Sequence, residues 1–376
     1  MSDGVRISGI GLHPFGRFEG KTTTDMGVVA VQAALEEAGH PSFQAAFCAT
    51  AYAGVASGHK VLGALGKTGV PIVDVEAGCA SGGAALMLAA ASIRAGQYDT
   101  VLVFGIEKMP KGIIRSSFFE PWREEAGLAA TPSYFALRAQ RLVRESGVTK
   151  DHLARVVVKN RTNGIDNPNA MFRKPTTVDE VLASRVVCEP LHLHMLCSPN
   201  EGAAAVVLRS SDLVPDGVTL ASAVLRSHLP GSVLGEATPM SGIDDTDIPP
   251  PSQRAATDAY AEAGIGPSDL DVVECQDTDA ARELLSYEEL GLCARGDAAR
   301  MVDDEVTVRG GTLPVNPSGG LLSKGEPLGA SALGQVCELV SQLRGEAGAR
   351  QVEGARAGLA HTVGRGANAA VVILTR

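Results

Sequence analysis

Three observations predict an α/β fold built from two related halves. First, apolar runs rich in β-branched residues, at 72–75, 101–104, 203–208, 218–225 and 369–374, alternate with helical segments. Fully apolar strands of that kind belong to a sheet covered on both faces. Second, two stretches mirror each other. Ala38-Gly39 and Ala263-Gly264 each end a helix before a strand and lie 225 residues apart. Ser81-Gly82-Gly83 and Ser318-Gly319-Gly320 each open an Ala/Leu-rich helix and lie 237 residues apart. Offsets of similar size point to a duplicated unit with unequal insertions. Third, 376 residues exceed the usual size of one compact core, so two are expected.

In chain order, Ala33-Ala34-Leu35-Glu36-Glu37-Ala38 ends a helix leading to a strand near 45–50. A short helix over 58–65 carries His59, read as a packing or surface residue. Ile72-Val73-Asp74-Val75-Glu76 is a strand, a Gly-rich turn follows, and the Ala-rich run 84–95 is a strong helix former. The next strand runs over 101–104. Residues from about 110 to 190 then read as an insertion, with a helix over 134–146 between two stretches, 115–125 and 159–177, rich in Arg, Asn, Pro and aromatics. These stretches are expected to be surface loops suited to ligand contact. A second long loop, rich in Gly, Pro, Ser and Asp, spans 231–251. The second half adds the helix ending at Gly264 and the strand Asp271-Val272-Val273-Glu274.

Composition narrows the function. A hydrophobic share of 45% with 20% charged residues is that of an ordinary soluble protein. The net charge of −10 argues against nucleic acid or an anionic membrane as the main partner. The amino-terminal residues lack a basic segment followed by an apolar run, and no apolar stretch reaches the roughly 18–20 residues of a membrane span. Seven scattered cysteines, an odd number, then read as reduced thiols in a cytoplasmic protein. His192, His194 and Cys197 share a strand-like spacing, but no second cluster completes a tetrahedral metal set.

Cys79 is the leading candidate for chemistry. It lies on the turn between a strand and a helix, where unpaired N–H groups and the positive end of the helix dipole favour a thiolate. The same N–H groups can hold an oxyanion as an acyl group passes to sulfur. The bland alternative is a small buried thiol.

The surrounding segment, Gly78-Cys79-Ala80-Ser81-Gly82-Gly83, resembles the nucleophile turn of the thiolase superfamily, and Gly105-Ile106-Glu107-Lys108-Met109 continues the likeness. Asn316-Pro317-Ser318-Gly319-Gly320-Leu321-Leu322-Ser323-Lys324-Gly325-Glu326-Pro327-Leu328-Gly329-Ala330 resembles a second signature of that superfamily. Cys197-Ser198-Pro199-Asn200-Glu201-Gly202, Tyr287-Glu288-Glu289-Leu290-Gly291 and His361-Thr362-Val363-Gly364-Arg365-Gly366 place the resemblance closest to the lipid-transfer, or sterol-carrier-protein, branch. It spans nearly the whole chain. It implies a five-layered α-β-α-β-α thiolase fold, with one half over about 1–212, including the insertion at 110–190, and the other over 213–376. It also implies a metal-free enzyme with acyl-CoA as substrate rather than cofactor, at least a homodimer, and a small partner subunit of OB-fold and zinc-ribbon type.

Three residues depart from the pattern. Glu326 stands where the family carries a catalytic histidine. In Gln276-Asp277-Thr278-Asp279, Gln276 replaces the oxyanion-binding histidine and Thr278 the proton-shuttling cysteine that some members have. An ionised carboxylate beside Cys79 opposes thiolate formation by like-charge repulsion, whereas a carboxyl with its pKa shifted towards neutrality can cycle as an acid and base. The Gln276 amide can still donate a hydrogen bond. His361 becomes the imidazole expected to serve Cys79, in a loop whose Gly364 N–H helps form an oxyanion hole. Asn316 and Ser318 of the second signature are expected beside the substrate.

Three readings follow: an acyltransferase loading Cys79 and passing the acyl group to an activated carbon nucleophile or to CoA, a retro-aldol lyase on a CoA ester using Glu326 or a tyrosine with Cys79 idle, and a non-catalytic subunit.

Overall fold

A computed structural model describes residues 4–112, 122, 125, 131–229, 248–364 and 368–376. The first half runs through β1 (Val5–Gly16), α1 (Thr23–Glu37), β2 (Ala45–Ala49), α2 (Ser57–Ala64), β3 (Ile72–Val75), α3 (Ser81–Arg94) and β4 (Thr100–Lys108). The insertion holds α4 (Thr131–Ser146), α5 (Lys150–Gly164), α6 (Val178–Ala183) and the small hairpin of β5 (Val186–Cys188) and β6 (Leu191–His192). Strand β7 (Glu201–Ser210) closes this half. The second half contains β8 (Val218–Ser227), α7 (Pro251–Ala263), β9 (Val272–Cys275), α8 (Ala280–Glu289) and α9 (Ala298–Asp303). It ends with α10 (Gly320–Lys324), α11 (Leu328–Arg344), β10 (Ala357–Gly364) and β11 (Asn368–Thr375).

Nine strands form one sheet in the order β3-β2-β4-β7-β1-β8-β11-β10-β9. Its seam is narrow, because β1 and β8 pair only at Arg6 with Thr219 and Ile7 with Val218. Outward from the seam, β1-β7-β4-β2-β3 on one side is matched by β8-β11-β10-β9 on the other. A parallel bridge from Val273 to Val315 takes the place of β3 in the second half. The duplication is thus visible in strand order. Helices α3 and α11 pack against each other and against both halves of the sheet, while α1 covers one outer face and α7 the other. These five layers are the α/β thiolase arrangement.

The central layer explains why its helices are so apolar. Leu86, Ala90, Leu333 and Val340 lie in one buried cluster with Val103, Val206 and Val372 from the two half-sheets. Each Leu and Val among them contributes on the order of 1.5–3 kcal/mol by leaving water. No described helix is long and apolar enough to cross a membrane.

Three local expectations change. The stretch 159–177 does not begin as a surface loop, because α5 continues to Gly164 and Asn160, Asn163 and Asn167 are buried. Its polar residues serve a buried network rather than solvent. The Ser318 segment opens only the five-residue α10, and the long helix starts at Leu328. His361 sits within β10 and not in a loop. Of the two long loops, 115–125 lies outside the described residues apart from Trp122 and Glu125, and 231–251 lies outside them up to residue 247.

Candidate active site

Cys79 is held by a turn that small residues make possible. Gly78 takes φ +60°, a conformation costly for residues with a Cβ. The Ser81 hydroxyl donates to the Gly78 carbonyl at 2.5 Å and accepts from the Ala77 N–H at 2.8 Å. The thiol, 7% exposed, packs with Met109 and Leu328, and Ala51 lies against this group. Close approach seats the turn. A Cβ on Gly82 would stand 2.9 Å from that of Ala332 on α11, and one on Gly83 would collide with Ala370 of β11. Likewise, a Cβ on Gly364 would strike the Ala77 carbonyl, so β10 ends directly against the cysteine turn.

Glu326 precedes α11 and is 5% exposed. Its N–H donates to the Ser198 carbonyl at 2.9 Å, which ties it to the segment carrying Cys197. Both carboxyl oxygens accept hydrogen bonds. Gln276 Nε2 donates to Oε1 at 2.8 Å, and Cys197 Sγ donates to Oε2 at 3.4 Å. The Val363 N–H donates to Gln276 Oε1, which fixes the amide with its nitrogen towards Glu326. Gln276 therefore orients the Glu326 carboxylate.

Burial, then the neighbouring Glu326 carboxylate, hold the Cys197 thiol well above the usual thiol range, with smaller contributions from Asp277 and Cys79. Cys197 is therefore a protonated thiol at neutral pH. Residue spacing gave no hint of this contact, since 129 positions separate it from Glu326. The one available signal was its place in the Cys197-Ser198-Pro199 segment.

The structure gathers Cys79, Glu326, Gln276 and Gly364, but it does not bring His361 to them. Residues alternate along β10. Ala360 belongs to the central cluster, whereas Leu359 joins the outer one. His361 shares the outer face, where its Nε2 lies 2.9 Å from Ser252 Oγ of α7 and its Nδ1 3.5 Å from Ser286 Oγ of α8. Burial, and secondarily the Arg282 charge, push its pKa well below the ordinary 6.5, so the ring is neutral.

Asn316 and Ser318 also lie elsewhere than expected. Asn316, at φ +55°, donates to Glu283 at 2.7 Å and accepts from the Cys275 N–H at 3.0 Å. Ser318 gives its N–H and hydroxyl to Glu274 at 3.0 and 2.6 Å, and Lys324 joins the same carboxylate at 3.1 Å. Asp277 accepts the N–H groups of Leu321 and Leu322 at 2.6 and 3.1 Å. Together these buried groups brace the connection that delivers Glu326.

Thiolase family models match both halves: the thiolase N-terminal domain over residues 6–212 and the thiolase C-terminal domain-like model over 239–376. Sterol carrier protein 2 of Bos taurus is 35% identical over 98% of this chain and 72% of its own length. The acetyl-CoA acetyltransferase of Methanothermobacter thermautotrophicus is 36% identical over 99% of both chains. The benzoylsuccinyl-CoA thiolase subunit BbsB of Thauera aromatica is 35% identical over 97% of this chain and 96% of its own. Among solved structures, an Ltp2-ChsH2(DUF35) aldolase superposes with a TM-score of 0.84 at 23% identity, covering 99% of this chain and 98% of that one. At that identity the likeness is one of fold.

A cysteine at a helix N-terminus, on a duplicated five-layered α/β scaffold, defines the class, and the chain belongs to the thiolase superfamily. Within it the chain falls in the sterol-carrier-type branch and is an enzyme of the acyltransferase, C–C bond-forming or bond-cleaving kind.

Proposed function

We propose that this enzyme transfers acyl groups through a thioester on Cys79, with an acyl-CoA as donor, and that Glu326 replaces the family histidine as the proton acceptor. The observation that carries this reading is the Glu326 carboxylate, held by Gln276 just before α11 and two residues ahead of Leu328, whose side chain packs on Cys79. As Cys79 sulfur attacks the acyl carbon, its proton passes to Glu326. Collapse of the tetrahedral oxyanion forms acyl-Cys79 and expels CoA sulfur, which recovers that proton. Gly364, packed against the turn, is the backbone donor proposed for the oxyanion. The acyl group then passes to a carbon nucleophile, or the sequence runs in reverse as cleavage.

Several features favour a second reading, a retro-aldol lyase acting on a CoA ester. His361 faces the outer layer, Glu326 and Gln276 replace imidazoles, and the solved aldolase shares the fold. Intact-protein mass spectrometry after incubation with acetyl-CoA and longer acyl-CoAs separates the two. A mass gain of one acyl group that disappears in Cys79→Ala supports acyl transfer, whereas turnover that survives Cys79→Ala sinks it.

Assembly with other subunits is part of the proposal. One relative is named as a subunit and the solved aldolase as a two-component protein. Strand β3 is an edge of the sheet, and Val73 on it is 45% exposed, with Val55 at 88% and Tyr52 at 43% on the preceding segment. An apolar edge of this kind suits a second copy of the chain.

A further inference from the structure

We infer that Cys197 is a catalytic residue, the thiol that carries a proton between Glu326 and the carbon next to the acyl-acceptor's carbonyl. The inference rests on the acyl-transfer reading above.

Where some members of the branch place a proton-shuttling cysteine, this chain has Thr278, whose side chain cannot replace a thiol as an acid. The structure puts a thiol back from a different part of the chain. The Cys197 N–H donates to the Thr278 carbonyl at 2.9 Å, and Leu196 bridges to Asp279 beside it. The segment carrying Cys197 thus lies directly against the strand end from which that cysteine is missing. Its Sγ is aimed at Glu326 Oε2. The carboxylate is in turn gripped by Gln276, so donor and acceptor are both positioned.

Cys197 suits proton transfer and not nucleophilic attack. Burial, and after it the neighbouring carboxylate, disfavour a standing thiolate, and Cys79, on its helix N-terminus, has the better setting for a nucleophile. Among the described residues, the remaining thiols lie elsewhere. Cys337, for instance, points its sulfur at the Gly11 and Ala205 carbonyls in the central layer.

The proton balance closes in both directions. For condensation, the C–H bond of the acceptor's α-carbon breaks as its proton moves to Cys197 sulfur, and the Cys197 S–H proton moves to Glu326 Oε2. The electron pair left on carbon attacks acyl-Cys79, and the Cys79 thiolate that leaves takes the proton from Glu326. In cleavage, Cys79 gives its proton to Glu326 on attacking the keto carbon. The departing carbanion then takes the Cys197 proton, and Glu326 reprotonates Cys197. No oxidant or added acid is required.

The test is hydrogen–deuterium exchange at the α-carbon of acetyl-CoA and propionyl-CoA in D2O, read by NMR, alongside acyl-Cys79 formation read by intact mass. The expected result is exchange by the wild type and by Cys79→Ala, with a fall of about a hundredfold or more in Cys197→Ala, the usual worth of one positioned acid or base. The acyl adduct on Cys79 should still form in Cys197→Ala, which also shows that the variant folds. Cys197→Ser keeps the size and a hydrogen bond to Glu326 but not the thiol acidity, and it should not recover the exchange. Wild-type-like exchange in either Cys197 variant, or no exchange above buffer in the wild type, overturns the assignment. A missing adduct on Cys79 in the wild type, with exchange present and dependent on Cys197, rejects acyl transfer while leaving the proton relay standing.

Discussion

The two halves of the molecule reach the active site by equivalent helices with different entrances. In the first half, the strand β3 passes through five residues, Glu76 to Ala80, into α3, and Cys79 sits on that short turn. Its geometry comes from glycine, from the Ser81 hydroxyl and Glu76 carboxylate beside it, and from close backbone packing. In the second half the same passage, from Val315 to α11, is lengthened by α10, and Glu326 stands at its end. Here the geometry comes from buried charge: Glu274 with Ser318 and Lys324, Glu283 with Asn316, and Asp277 on two backbone N–H groups. One copy places Cys79 with two local side chains, the Ser81 hydroxyl and the Glu76 carboxylate that accepts from the Gly78 N–H at 2.7 Å. The other uses a costly polar scaffold to hold a single carboxylate in place. A buried charge network demands that every member be satisfied, so its presence beneath Glu326 says that the position of this carboxylate matters.

Several substitutions break or sharpen that contrast. Glu326→Gln keeps the shape and one acceptor oxygen but cannot take a proton, and turnover should fall by about 10²–10⁴-fold with Gln276 still in place. Steady-state kinetics that are indifferent to this change would remove the acid–base role. Gly364→Ala presses a methyl group into the Ala77 carbonyl and should shift the cysteine turn. A misplacement of that order costs about 10²-fold in acyl-Cys79 formation, measured as the rate of mass gain.

Glu274→Gln attacks the other entrance. It leaves the Lys324 ammonium buried without its counter-charge, and unfolding by urea should show a loss of about 3–5 kcal/mol. Comparable loss from a substitution at an exposed pair such as Arg300–Asp297 would undo the argument.

The smallest effect belongs to His361. The folded protein keeps this ring neutral, with its pKa well below 6.5. Below pH 6.5 the unfolded chain therefore binds a proton that the folded one does not, and stability is lost as pH falls from there. Replacing it, as in His361→Asn, should remove up to about 2 kcal/mol of that loss between pH 6.5 and 5, read from melting curves at the two pH values. A large, pH-independent loss of turnover would instead return His361 to the chemistry.

Much of this protein could be read from its residues. Apolar β-branched runs are strands because a covered sheet offers water to neither face, and the turn before an Ala-rich helix marked Cys79 as soon as its glycines were seen. The repeated helix endings at Gly39 and Gly264 revealed the duplication, since a left-handed helix stop favours glycine wherever it recurs. The odd residues Glu326 and Gln276 stood out as departures from a pattern.

What the tertiary structure decided was direction and partnership. His361 lies one residue from Ala360 and Thr362 in sequence, yet strand alternation turns it to the opposite face of the sheet. Asn316 and Ser318, near Glu326 in the chain, are spent on bracing it. Cys197 meets Glu326 only because two segments 129 positions apart pair their backbones. The sequence by itself determined the scaffold and the turn that carries Cys79, because propensity, periodicity and residue type are local. Which side chains face one another across the layers depends on packing, and that joined the Glu326 carboxylate to a second thiol.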